Sequence, residues 1–298
     1  MSKKFDNYLV GLFTVDKEKY LDEPEKIIVG GPILFSGYAG VGSGRRIGCL
    51  TKLAPEDMHY LFLLHLRDIR CLPSRHSCGL FAKYLSEDRE LREQFVLGQA
   101  DPITIADIPD DIESEVFQLA STINGQISLD VIPYLSDRGK VALDLQGFLR
   151  SVKDGMIEMT DWAEKEKYLP YVYYLKADAQ EAEIATGTSD RRKAAKLLYE
   201  MGAKEIMITH NTEVLIYDGA QFYTCPLRAR NLSGRTGRGD STFGSYITER
   251  IYRSIPDSLL YASALVSLKM EQNVPFCFLR EDVMDYVREF YPEYRFTY

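Results

Sequence analysis

Apolar positions at Tyr8 to Thr14 form a run of strand length, and Ile27 to Val29 forms a shorter one. Arg46 to Leu53 reads as a third strand. Glu56 to Leu66 has helical spacing, with Met58, Leu61, Phe62 and Leu64 mostly on one side. Ser77–Leu85 and Gln94–Ala100 read as strands around the charged turn Ser86–Glu93, a hairpin with one open face. From there the pattern alternates. Val116–Ala120, Lys140–Leu145, Val172–Lys176, Glu205–Thr209, Val214–Tyr217 and Phe222–Pro226 predict strands. Leu129–Leu135, Asp161–Tyr168, Asp178–Thr186, Arg191–Met201, Asp240–Tyr252, Ser258–Glu271 and Arg280–Phe290 predict helices. Strands alternating with helices imply an α/β chain with a mainly parallel sheet covered on both faces. The early β-rich part reads as an appendage on it. In such sheets ligands bind at the carboxyl ends of the strands.

The chain has 298 residues, 45% of them hydrophobic and 27% charged, enough apolar material for one large α/β domain or two smaller ones. No linker, repeat or low-complexity segment divides it. Asp and Glu outnumber Lys and Arg by 44 to 36, a net charge of −8 that disfavours a nucleic-acid partner. No run of about 18 apolar residues predicts a membrane span, and Asp16 with the charges after it interrupts any leader-like core. Cysteines at 49, 71, 78, 225 and 277 are odd in number and dispersed, which suits a reducing cytoplasm. Cys71 and Cys78 flank His76 without a zinc spacing and are read as half-buried thiols on neighbouring strands.

The chemistry concentrates in Gly234-Arg235-Thr236-Gly237-Arg238-Gly239-Asp240-Ser241-Thr242, a glycine loop that opens a helix. Backbone amides turned inward, together with the helix's positive end, make an anion site suited to phosphate. Asp240 at the junction is either a helix cap or a general base beside that anion. No G-x-x-x-x-G-K-[ST] occurs. Gly40-Val41-Gly42-Ser43-Gly44 follows no strand and lacks the third glycine of a dinucleotide loop.

Gly237-Arg238-Gly239-Asp240 resembles the G-A-G-D signature of the ribokinase/PfkB carbohydrate kinases. Other pieces fall in that family's order. Gly11–Asp16 resembles a first strand ending in a substrate-binding aspartate, and Gly30-Gly31 resembles the di-glycine. Lys176–Glu183 resembles K-x-N-x-x-E-A-E. Gly202–Thr209 resembles the strand leading to the nucleotide, and Ser267–Glu271 a C-terminal helix. There are departures. Gly234-Arg235 replaces Asp-Thr, Arg238 replaces alanine, Asp178 replaces asparagine, and Thr209-His210-Asn211-Thr212-Glu213-Val214 stands where T-x-G-x-x-G is usual. With Asp144–Arg150 and Thr209-His210, the loop resembles a smaller branch that includes inositol-phosphorylating kinases.

The resemblance implies a three-layer α/β/α ribokinase-like fold. A small β lid is expected from segments near 12–32 and 70–100 on a single kinase domain. It implies transfer of the γ-phosphate of ATP, with Mg²⁺, to a hydroxyl of a sugar or a cyclitol such as myo-inositol. A nucleoside kinase, or a non-catalytic sugar or nucleotide sensor on the same fold, is the alternative. Asp240 would be the base, and Gly237, Arg238 and Gly239 the anion hole. Asp16, Gly30, Gly31, Asp144, Gln146 and Arg150 would bind substrate. Thr209, Asn211, Arg235 and Thr236 would meet the nucleotide. Glu181, with Asp178, would steer Mg²⁺ through water. His59, His65 and His210 are read as structural. The open face of the hairpin (Leu80, Phe81, Tyr84, Phe95, Leu97) suggests a homodimer through the lid.

Overall fold

The computed structural model describes residues 3–86 and 92–295. Fifteen strands form along the described chain. They are β1 (Lys3–Gly11), β2 (Thr14–Tyr20), β3 (Lys26–Gly30), β4 (Ile47–Leu53), β5 (Asp68–Pro73), β6 (Gly79–Tyr84), β7 (Arg92–Gly98), β8 (Ile112–Ala120), β9 (Lys140–Asp144), β10 (Arg150–Lys153), β11 (Met156–Met159), β12 (Val172–Asp178), β13 (Glu205–Thr209), β14 (Glu213–Tyr217) and β15 (Phe222–Pro226). The helices are α1 (Gly31–Gly42), α2 (Val131–Ser136), α3 (Gln146–Leu149), α4 (Lys165–Tyr168), α5 (Ala179–Thr186), α6 (Arg191–Glu200), α7 (Arg238–Arg250), α8 (Ile255–Met270) and α9 (Arg280–Phe290).

Nine strands make the main sheet, in the order β15-β14-β13-β12-β9-β8-β1-β4-β5. It is parallel from β13 across to β5, and only β14 is reversed, so that its pairings with β13 and β15 are antiparallel. Its strands are buried on both faces, so their apolar residues divide by period two. Ile206 and Ile208 enter one core while Met207 enters the other, and Val141 and Leu143 are split from Ala142 in the same way. Helices α7, α8 and α9 cover the second core, and α2, α5 and α6 cover the first. The other six strands form a second sheet, β10-β11-β7-β6-β2-β3, beside the carboxyl ends of the main one. The architecture is α/β, with a mainly parallel sheet between helical layers.

Several elements depart from the sequence pattern. Helix α1 fills a stretch whose pattern does not separate helix from irregular chain; packed between the sheet and α7, it is apolar nearly all round and shows no amphipathic stripe. The segment from Pro55 to Leu63 is a 3-10 helix with no buried residue, and His65 lies beyond it. Of Asp161–Tyr168 only the last four residues are helical; Trp162 instead packs on Phe148 at 4.6 Å between ring centres. Strand β5, within 70–100, belongs to the main sheet, whereas β10 and β11 join the second. Residues 87–91 of the charged turn lie outside the described residues. Cys71 sits in β5, while buried Cys78 pairs with Thr14 beside the second sheet, so the two thiols are not on neighbouring strands. No helix among the described residues is long and apolar enough to cross a membrane.

Candidate active site

A cleft of about 570 Å³ lies between the carboxyl ends of the main strands and the second sheet. A larger groove of about 750 Å³ lies at the opposite edge, at the strands' amino ends among Lys140, Tyr171 and Lys204; it holds none of the predicted site residues.

The floor of the cleft is the start of α7. Gly237 precedes the helix with φ +72°, a left-handed conformation that suits glycine, and a Cβ there would stand 2.2 Å from the Phe35 ring. The Arg238 amide donates to the Arg235 carbonyl at 3.2 Å. That amide is therefore spent on the turn, which corrects its expected place in an anion hole. The amides of Gly239 and Asp240, in the first turn, have no intrahelical acceptor and carry the helix's positive end. Behind the loop, Lys269 of α8 donates to the carbonyls of Gly234 (2.7 Å) and Thr236. Burial lowers the Lys269 pKa to about 8, although Asp240 opposes the shift.

Asp240 is fixed from below by a buried polar chain. Asn7 donates to Gln118 at 2.8 Å, Gln118 to Ser36 at 2.9 Å, and Ser36 to the Asp240 carbonyl at 2.9 Å. Burial pushes the Asp240 carboxyl above the usual carboxylate range, while the positive charges of Lys176 and Arg150 pull it back. Lys176 lies near the end of β12, 2.9 Å from Asp144 and 3.4 Å from Glu181. Burial works against its ammonium, yet Asp144 and Glu181 hold its pKa above the ordinary lysine value. One ammonium thus faces the carboxylates of Asp144, Glu181 and Asp240. Burial shifts each of the three carboxyls upward.

Opposite stands Asp16 on β2. Its carboxylate accepts from the Leu80 amide and the Thr14 hydroxyl, both at 2.8 Å, linking β2 to β6. Burial outweighs those bonds and raises its pKa to about 6. Next to it, Gly31 opens α1 with φ +85°, and a Cβ there would meet the Leu12 carbonyl oxygen at 2.8 Å.

The cleft gathers Asp16, Gly30, Gly31, Gln146, Arg150, Asn211, Arg235, Thr236, Gly237, Arg238, Gly239 and Asp240 on one wall system. It does not gather four expected residues. Asp144 is buried under Lys176, and its other contact is the Gln146 amide. Thr209 is buried against the Ala177 carbonyl. Asp178 caps α5 by accepting from the Glu181 amide, and Glu181 returns the bond to the Asp178 amide at 2.7 Å. Lys176 bonds the same Glu181 oxygen, which makes that oxygen a poor direct magnesium ligand; the water-mediated contact expected of Glu181 does not need it. Lys176, Lys269 and Thr14 were not singled out by sequence reasoning. A lysine ending an apolar strand (VYYLK) and a lysine inside an apolar helix (SALVSLKM) were the available signals.

No protein-family model matches the chain. A cytidine kinase of Thermococcus kodakarensis is 23% identical over 253 residues, spanning 81% of this chain and 87% of that protein. A solved pyrophosphate-dependent kinase in the ribokinase family, in a sulfate complex, is 30% identical with a TM-score of 0.84 over 93% of this chain and 99% of that one. A structure of a pyrophosphate-dependent kinase in that family with a pyrophosphate analogue and myo-inositol gives 30%, 0.85, 94% and 99% for the same quantities. With this likeness over almost its whole length, and a glycine loop and aspartate at the carboxyl ends of a parallel sheet, the chain belongs to the ribokinase family, kinases that phosphorylate a hydroxyl.

Proposed function

We propose that this kinase transfers a phosphoryl group from inorganic pyrophosphate to a hydroxyl of a polyol of the myo-inositol type. The observation that carries the reading is that Asp16 and Asp240 face one cleft across the glycine loop. The two solved relatives at 30% identity support the donor and acceptor class, since both are pyrophosphate-dependent kinases and one is complexed with myo-inositol. ATP, expected from the broader family, is the donor this reading sets aside.

In this mechanism Asp16 keeps free lone pairs for acceptor hydroxyls, and Gly30 and Gly31 let the ring approach the backbone. Asp240 accepts the proton of the attacking hydroxyl. The acceptor's hydroxyl oxygen bonds the near phosphorus, the bridging P–O bond breaks, and orthophosphate leaves. The amides of Gly239 and Asp240, with Lys176 and Arg150, balance the charge that develops. Magnesium, where bound, would neutralise phosphate charge.

The second sheet acts as a lid whose closure excludes water. Of the open face expected on the hairpin only Leu97 is exposed, since Tyr84 is buried and Leu80, Phe81 and Phe95 are half-buried; Leu97 with exposed Ile27 and Met156 would be the surface offered to a second copy of the chain. Sedimentation showing only monomer at micromolar concentration would remove the dimer.

The test is release of phosphate or ADP across a panel of cyclitols, sugars and nucleosides with each donor. Turnover of a cyclitol with pyrophosphate is expected. A nucleoside acceptor, favoured by the cytidine kinase relative, is the second reading, and turnover restricted to nucleosides would establish it instead.

A further inference from the structure

We infer that Arg238 is the residue that selects the phosphoryl donor, closing the nucleotide arm of the cleft so that a bare diphosphate enters and a nucleoside triphosphate does not. The inference rests on the pyrophosphate reading above and assigns the selection to one side chain.

Arg238 is the first residue of α7, where the family signature has alanine. Its guanidinium crosses to the turn between β13 and β14 and donates to the Asn211 side-chain oxygen at 2.9 Å. Asn211 is the residue that the family resemblance gives to the nucleotide, so one assigned nucleotide contact is taken by the protein itself. The turn is tight: the His210 amide donates to the Glu213 carbonyl at 3.0 Å, and His210 Nδ1 pairs with the Thr212 hydroxyl at 3.0 Å. Side chains therefore stand where a T-x-G-x-x-G strand leaves open backbone.

The chemistry of the arm agrees. Asn211, Ser233, Arg235, Thr236, Arg238 and Asn273 line it, with Leu232 as the apolar member. Sites for flat bases are mostly apolar or aromatic, whereas this lining suits an ion that is all oxygen and charge. Burial and the nearby Arg235 charge both lower the Arg238 pKa, a like-charge strain that a polyanion would relieve. A guanidinium holding a neutral amide also keeps donors for phosphate oxygens.

The experiment measures kcat/KM with pyrophosphate and with ATP for wild type, Arg238→Ala, Arg238→Lys and Asn211→Ala, using one polyol. Calorimetric binding of imidodiphosphate and of a non-hydrolysable ATP analogue runs in parallel. Wild type is expected to use pyrophosphate alone. Arg238→Ala should lose about 10–100-fold with pyrophosphate, as loss of charged hydrogen bonds gives, and should gain measurable ATP turnover and binding of the ATP analogue. Asn211→Ala, which frees the guanidinium without removing charge, should shift the ratio of kcat/KM values toward ATP. An unchanged donor ratio in both Arg238→Ala and Asn211→Ala overturns the role of Arg238 and leaves the pyrophosphate reading intact. Wild type that turns over with ATP and not with pyrophosphate overturns both. Should Arg238→Ala fail to fold, the donor ratios of the other two variants decide in the same way.

Discussion

The Lys269 ammonium donates to the Gly234 carbonyl at 2.7 Å, so a residue of α8 anchors the loop that ends 3 positions later at Gly237. Its lowered pKa of about 8 means that its charge disappears as pH rises through that value. kcat/KM is expected to fall on the alkaline side near pH 8. In Lys269→Met the limb should vanish and kcat/KM drop by about 10–100-fold at neutral pH, as loss of charged hydrogen bonds gives. An alkaline limb that persists unmoved in the variant would contradict this.

Asp240→Asn keeps the shape of the loop and removes the base. Turnover should fall by about 10²–10⁴-fold, with KM for acceptor and donor nearly kept. Equal losses in binding and turnover would make Asp240 an organiser of the loop rather than the proton acceptor.

Asp16 gives the acid limb. Its folded pKa of about 6 exceeds the ordinary 3.8, so acceptor binding should weaken as pH falls through about 6. For stability, burial disfavours the ionised form; that cost is fully present above about pH 6 and absent below about 3.8. Asp16→Asn should therefore raise Tm by a few degrees at pH 7.5, with no gain at pH 4, while KM for the acceptor rises at least about tenfold. A variant no more stable at pH 7.5 would show that the Leu80 and Thr14 bonds offset the burial.

Gly237→Ala puts a Cβ 2.2 Å from the Phe35 ring at φ +72°. Backbone strain of about 1–3 kcal/mol, together with displacement of the loop, should lower Tm and remove most activity. At Gly239 an added Cβ meets the flexible end of Lys176 at 3.2 Å, so Gly239→Ala should melt almost as wild type and lose activity only. Equal melting of both variants would count against the role given to Gly237.

The sequence showed the second half of the fold better than the first. From Val172 onward, strands buried on both faces are short unbroken apolar runs and their helices carry caps, as at Asp178 and Asp190, so both could be read directly. Helix α1 escaped because it has no polar face, and β2 because its residues DKEK are half exposed in a sheet that no local pattern announces. Asp16 and Asp240 are legible through motifs, one closing the stretch from Gly11 and the other following Gly239. Lys176 was legible only as part of a motif, since its role depends on Asp144, 32 positions away in sequence and joined only by pairing of β9 with β12. Glu181 is tied to Mg²⁺ through water only by the family resemblance; that Lys176 and a helix cap share one of its oxygens is a property of packing that the sequence does not announce.

The second sheet is stitched to the main one at several places: between β1 and β2, at Gly30–Gly31, between β5 and β6, between β7 and β8, at Leu149–Arg150, and after β11. A flap on one tether could slide or swing wide. A plate sewn along a seam can only tilt, and the seam itself carries Gly30, Gly31 and Arg150 of the cleft. Tilting and loss of grip on a bound molecule are thus the same movement. Severing one stitch would leave the others in register, and the two sheets are expected to give a single calorimetric peak.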